Sequence, residues 1–124
     1  MYKIMIVEDE KIERDHLVRV IESLKLPLQA VLTATNGEEG ITIFNQYHPD
    51  IIIADINMPI MDGLTMIELV KRQSPDTVCF ILSSYNYFTY AQKALRLGVI
   101  DFILKPSDRK AINDCLIKAL EQLK

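Results

Sequence analysis

Residues 51–63 read IIIADINMPIMDG. Ile51, Ile52, Ile53 and Ala54 form a run that is apolar at every position, which fits a strand covered on both faces. The run ends in Asp55, and a carboxylate taken out of water without a partner is costly. An acid placed there is either a turn residue or a chemical group that the strand delivers to a site. The rest of the chain decides between them.

Four other apolar runs accompany this one: Tyr2 to Val7, Leu28 to Ala34, Val78 to Leu82 and Val99 to Leu104. Longer amphipathic stretches separate them. In the last stretch Ile112, Cys115, Leu116, Ala119, Leu120 and Leu123 recur at steps of three and four, a helical stripe. Leu17, Val20, Ile21 and Leu24 repeat the pattern in the first, which Pro27 helps to stop. Asn36 with Glu39 caps the second helix, and Pro49 follows its end. Asp62 caps the third and Ser74-Pro75 closes it. Gly98 suits a left-handed cap after the fourth, and Ser107 starts the fifth. Five strands alternating with five helices predict an α/β fold, a doubly wound five-stranded parallel sheet with helices on both faces. With no repeat and no Gly/Ser/Pro linker, residues 1–124 are expected to form one domain.

The 124 residues carry 49% hydrophobic and 25% charged side chains, the balance of a globular protein. A formal charge of −3 gives no general attraction to nucleic acid or to an anionic membrane. No apolar run approaches the ~20 residues of a membrane span. The opening MYKIMIVEDE has acids where a signal peptide would stay apolar, so a cytoplasmic location is expected. Cys79 and Cys115 sit in apolar patterns and match no metal motif, so both are expected to be reduced core thiols.

In an open parallel sheet, ligands bind at the carboxyl ends of the strands. The residues that follow each run therefore belong together. Glu8, Asp9 and Glu10 follow the first, Asp55 and Asn57 the third, Ser83 and Ser84 the fourth, Lys105 and Pro106 the fifth. Gathered carboxylates repel one another, and a hard divalent cation relieves the repulsion; Mg²⁺ suits oxygen ligands and phosphate together. A carboxylate beside such an ion can act as a nucleophile toward phosphorus. Lys105 and the Ser83 hydroxyl would stabilise the transferring group. Neither GxxxxGK[ST] nor GxGxxG is present, which argues against a nucleotide as phosphate carrier.

These residues, in this order and on these elements, resemble the receiver domain of bacterial two-component response regulators along the whole chain. The matches are Glu8-Asp9 in IVEDE, Asp55 in ADINMPIMDG, Ser83 in FILSSY, Phe102, and Lys105-Pro106. The resemblance implies a flavodoxin-like sheet in the order 2-1-3-4-5 and a cis Lys105-Pro106 bond. It implies that a sensor histidine kinase phosphorylates Asp55, and that Mg²⁺ is held by Asp9, Asp55, the Asn57 backbone carbonyl and, through water, Glu8. Lys105 would pair with Asp55, then with the phosphoryl oxygens. Ser83 and Phe102 would be the switch residues, and a homodimer would form through the fourth helix, fifth strand and fifth helix. Glu8 stands where Asp is commoner, Ser83 where Thr is, and Phe102 where Tyr is. Asn57 and Tyr85 lie where the family tunes autodephosphorylation. The segment SSYNYFTYAQKALRLGVIDFILKP resembles receivers joined to AraC-type helix-turn-helix domains, which implies transcriptional output from a DNA-binding domain beyond residue 124, while this domain binds neither nucleic acid nor membrane.

Blander readings attach to the remaining residues. Glu10, Glu13 and Arg14 fit a solvated helix face. His16 and His48 fit surface or helix positions, the phosphorylated histidine belonging to the kinase. Met58 to Met61 fit loop packing, and Tyr85, Tyr87, Phe88 and Tyr90 fit loop and helix-four packing, with an exposed subset as the alternative of a partner-facing surface. Two alternatives stand beside the phosphoacceptor switch. A Mg²⁺-dependent phosphohydrolase would need a second acid at Asn57 and a cap over its substrate. A receiver-like module that signals without phosphate would be favoured by loss of Asp9, Asp55 or Lys105, and all three are present.

Overall fold

A computed structural model of the chain describes residues 1–84 and 88–124, and for residues 88–91 the backbone alone. The elements alternate as β1 (Tyr2–Val7), α1 (Lys11–Ser23), β2 (Leu28–Ala34), α2 (Gly37–Tyr47), β3 (Ile51–Asp55), α3 (Gly63–Gln73), β4 (Val78–Ser83), α4 (Phe88–Arg96), β5 (Asp101–Leu104) and α5 (Arg109–Leu123). The strands form one parallel sheet in the order β2-β1-β3-β4-β5, as expected.

Strand periodicity divides the core in two. Ile51 and Ile53 of β3 join Ile4, Ile6, Phe80 and Leu82 on one face, under Leu17 and Ile21 of α1 and Ile112 and Leu116 of α5. Ile52 and Ala54 join Met5, Val7 and Ile81 on the other, under Phe44 of α2, Met66 and Ile67 of α3 and Ala94 of α4. Successive side chains of a strand point to opposite faces, so a strand roofed on both sides must be apolar at every position. The thiols fall on opposite faces, Cys79 in one cluster and Cys115 in the other, and both are free. Burial pushes the first thiol up to about 12 and the second to about 11, which keeps both protonated.

Asn36 Oδ1 accepts from the Glu39 amide at 2.9 Å, and Asp62 Oδ1 from the Thr65 amide at 2.7 Å. Gly98, at φ +87°, ends α4: its amide donates to Leu95 O, and the Val99 amide to Ala94 O. These two bonds make a Schellman motif, whose left-handed residue is usually glycine. That motif occupies Val99, so β5 begins at Asp101 rather than at Val99. The cap of α5 also differs from the expectation: Asp108, not Ser107, accepts from the Ala111 amide at 2.7 Å. The Ser107 side chain is buried, whereas the Asp108 carboxylate meets the positive end of the helix dipole. No helix among the described residues is long and apolar enough to cross a membrane.

A candidate metal and phosphoryl site at the carboxyl edge of the sheet

The site is assembled where β1, β3, β4 and β5 end. β1 delivers Glu8, whose amide donates to Ala34 O of β2 at 3.0 Å, and the exposed Asp9 follows it. β3 ends on Asp55 and β4 on Ser83, each one residue beyond the apolar run that predicted the strand. The Lys105 amide donates to Ser83 O at 2.9 Å, which fixes the start of the next loop against β4. The Lys105-Pro106 bond is cis.

Three carboxylates converge there. One oxygen each from Glu8, Asp9 and Asp55 lies within 4.8 Å of the others. Glu8 is 0% exposed and Asp55 5%. Lys105 Nζ reaches both, at 2.7 Å from Glu8 Oε1 and 3.0 Å from Asp55 Oδ2. The resemblance paired Lys105 with Asp55; the structure adds Glu8 as the shorter contact, because the longer acid spans the gap. One ammonium cannot neutralise two buried carboxylates. Glu8 Oε2 accordingly lies buried with no hydrogen-bond partner among the described residues. Burial, and then the neighbouring Asp55, outweigh Lys105 and raise the Glu8 carboxyl from 4.5 to about 8. Burial alone would lower Lys105, but its bonds to Glu8 and Asp55 together raise it.

This arrangement fits a hard divalent cation. Such an ion takes carboxylate oxygens, and an orphaned acceptor among crowded acids is what it would satisfy. The Asn57 side chain is exposed and its amide lies 3.4 Å from Asp55 Oδ1. Phe102 is half-buried against the α2–α3 side of the core.

The loop from β3 to α3 shows two features that the sequence reading missed. A Cβ at Gly63 would collide with the backbone carbonyl of Asp55, so only glycine lets α3 start so close to the acid. Met58 and Met61 pack on the core, as loop packing predicts, but Ile60 does not. It is 76% exposed at φ +72°, and the Met61 amide donates to Pro59 O at 2.8 Å. That is a γ-turn of the rarer hand with a β-branched residue at its centre, a strained backbone.

Arg14 is a further correction. Rather than lying on a solvated face, its Nη1 donates to Glu8 O at 2.9 Å and lies 3.5 Å from Asp9 O. His48 ends α2 in the left-handed region, at φ 49°, with its ring edge-on to Phe44. His16 lies on α1 with Nε2 3.0 Å from Ser107 O. Tyr85 and Tyr87 lie outside the described residues, as do the side chains of Phe88 and Tyr90.

Comparison with known proteins bears on the family and the fold. The family model of the response regulator receiver domain matches residues 4–117. An uncharacterized transcriptional regulatory protein of Bacillus subtilis, YesN, is 36% identical over 124 residues, covering all of this chain and 34% of YesN. Among solved structures, the receiver domain of AraT, a response regulator from Geobacillus stearothermophilus, superposes with a TM-score of 0.87 at 32% identity, covering 98% of this chain and 95% of that one. A two-component transcriptional regulator AraC from Clostridium phytofermentans gives 0.86 at 28% identity, covering 99% and 94%. The chain spans about a third to a half of the length of the curated relatives it matches.

Proposed function

The chain belongs to the response regulator receiver family, and from that premise we propose that it is a phosphoacceptor switch in which Asp55 takes a phosphoryl group from a sensor histidine kinase. The observation that carries this reading is the convergence of Glu8, Asp9 and Asp55 within 4.8 Å, with Glu8 Oε2 lacking a partner among the described residues. A carboxylate oxygen of Asp55 attacks phosphorus; the P–O bond forms as the P–N bond of the kinase phosphohistidine breaks, and the imidazole keeps the electron pair. Asp9, Asp55 and the Asn57 carbonyl, with Glu8 through water, would hold Mg²⁺, which supplies charge neutralisation for the phosphoryl oxygens. Lys105 transfers its contact from Asp55 to a phosphoryl oxygen, and the Ser83 hydroxyl donates to another. A receiver is a signalling module, and the acyl phosphate is its message rather than a turnover intermediate.

The output follows from which conformation binds the phosphoryl group better. Ser83 and Phe102 are the residues through which that preference reaches α4, β5 and α5. Leu95, Leu104 and Ile117, one on each of these elements, are large exposed apolar side chains, and Lys118 pairs with Asp101 at 3.0 Å beside them. We assign this face to a homodimer of the phosphorylated state. The names of YesN and of the Clostridium regulator support transcriptional output, through a DNA-binding domain that would follow residue 124 in the parent protein.

Incubation with Mg²⁺ and acetyl phosphate, followed by intact mass measurement, tests the reading. One added phosphoryl mass is expected on the wild type and none on Asp55→Asn. Equal behaviour of the two proteins would remove Asp55 as the acceptor. Release of phosphate from many esters would favour a hydrolase.

A further inference from the structure

Two side chains of α1 hold the loops that carry the reacting groups, and neither belongs to the reacting set. Arg14 Nη1 donates to Glu8 O at 2.9 Å, behind the first acid. Two residues later, His16 Nε2 lies 3.0 Å from Ser107 O. A carbonyl oxygen carries no proton, so Nε2 must carry it and the ring donates. Positions two apart on a helix point about 200° from each other, so one helix can engage two loops on different sides. Ser107 is 3% exposed and lies two residues beyond Lys105, whose own amide donates to Ser83 O at 2.9 Å. The backbone carrying Lys105 is thus tied on both sides, to β4 before it and to α1 after it.

We propose that α1 is a two-sided clamp on the site, in which Arg14 positions the acid loop and His16 positions the lysine loop. Both are positioning residues for phosphoryl transfer, and the assignment rests on the reading of Asp55 as phosphoacceptor. The two ties divide the labour. Arg14 sets where Glu8 and Asp9 present their carboxylates to a divalent cation. His16 sets where Lys105 meets the phosphoryl oxygens once the cation is bound. Gln in place of His16 keeps a side-chain N–H donor, whereas Leu keeps comparable bulk and cannot donate.

The two effects separate in Mg²⁺ titration and in phosphorylation by acetyl phosphate at saturating Mg²⁺. Arg14→Met, which keeps an unbranched chain and cannot donate, is expected to weaken Mg²⁺ binding about fivefold, the ordinary worth of a lost hydrogen bond. His16→Leu is expected to leave Mg²⁺ affinity in place and slow phosphorylation about fivefold, with His16→Gln restoring the rate. Amide hydrogen exchange without metal or phosphate gives the second measurement. It should quicken at residues 105, 107 and 108 in His16→Leu, stay slow in His16→Gln, and quicken at residues 8–10 in Arg14→Met. Equal losses in both assays for both variants, or exchange unchanged at both loops, would overturn the clamp. If the wild type neither binds Mg²⁺ nor accepts phosphate, the phosphoacceptor reading fails instead, and the exchange pattern alone decides the clamp.

Discussion

The two ends of the sheet treat polar groups in opposite ways. At the amino end, Asp50 Oδ2 accepts from the Lys3 amide at 3.0 Å, Lys3 Nζ donates to Tyr47 O, Tyr2 Oη donates to Leu123 O, and Thr77 Oγ1 donates to Ser74 Oγ. Each of these bonds closes a connection, and none leaves a buried charge over. At the carboxyl end, three acids converge, two of them share one lysine, and Glu8 Oε2 faces no donor among the described residues. The same strands that bury Ile51 to Ala54 completely at one end hold Asp55 nearly dry at the other. Polar groups at the first end close connections of the fold, whereas at the second Glu8 Oε2 is left without a donor among the described residues, where the proposed cation would act.

The contrast can be broken by substitution, the largest effect coming first. Asp55→Asn should remove phosphoryl incorporation altogether while the domain stays folded, read by intact mass and circular dichroism; a labelled Asp55→Asn protein would move the acceptor elsewhere. Gly63→Ala should force the Asp55 carbonyl aside and destabilise the domain by about 1–3 kcal/mol, as overpacking does, read by urea denaturation. At the amino end, Asp50→Ala should cost about 1 kcal/mol, the worth of its bond to the Lys3 amide, and leave phosphorylation unchanged. A phosphorylation defect in Asp50→Ala would blur the division between the ends.

The pH dependence of stability sharpens the contrast further. The Glu8 carboxyl rises from 4.5 to about 8 on folding, so between these values the folded state binds a proton that the unfolded state has lost. Unfolding free energy therefore falls as pH rises through that window, by at most about 1.4 kcal/mol per pH unit. The stability is fully present below the lower value and gone above the upper one. Without divalent cations, denaturation midpoints should decline from pH 5 to pH 8 (roughly the window the carboxyl sets), and Glu8→Gln should flatten the decline. A wild-type profile as flat as that of Glu8→Gln would mean that Glu8 is ionised throughout.

Much of this architecture was legible from apolar runs and their ends. Asp9, Asp55, Ser83 and Lys105 each come just after an apolar run, and a parallel sheet brings strand ends together, so their placement at one edge could be read from order alone. The caps at Asn36 and Asp62 and the turn at Gly98 were legible because their chemistry is local. Contacts of a side chain with a distant backbone leave no such trace. Arg14 on the Glu8 carbonyl and His16 on the Ser107 carbonyl have no periodicity to announce them, and Arg14 read as solvated. The collision that forbids a Cβ at Gly63 depends on the angle at which α3 meets β3. Ser107 and Asp108 are both good caps by type, and only the burial of Ser107 decides between them. Ile60 reads as loop packing by composition, while its γ-turn points it into solvent.

The most direct measurement follows backbone amide shifts of the ¹⁵N-labelled domain during titration with Mg²⁺, then with beryllofluoride as a phosphoryl mimic. Shifts should begin at residues 8–9 and 55–57 with the cation and spread to Ser83, Phe102 and Lys105 with the mimic. The amino-end residues 3, 47–50 and 74–77 should stay still, and Asp55→Asn should lose the second step. Shifts that fall first on the amino end, or a wild type that responds to neither reagent, would contradict a carboxyl edge built to hold a cation and a phosphoryl group.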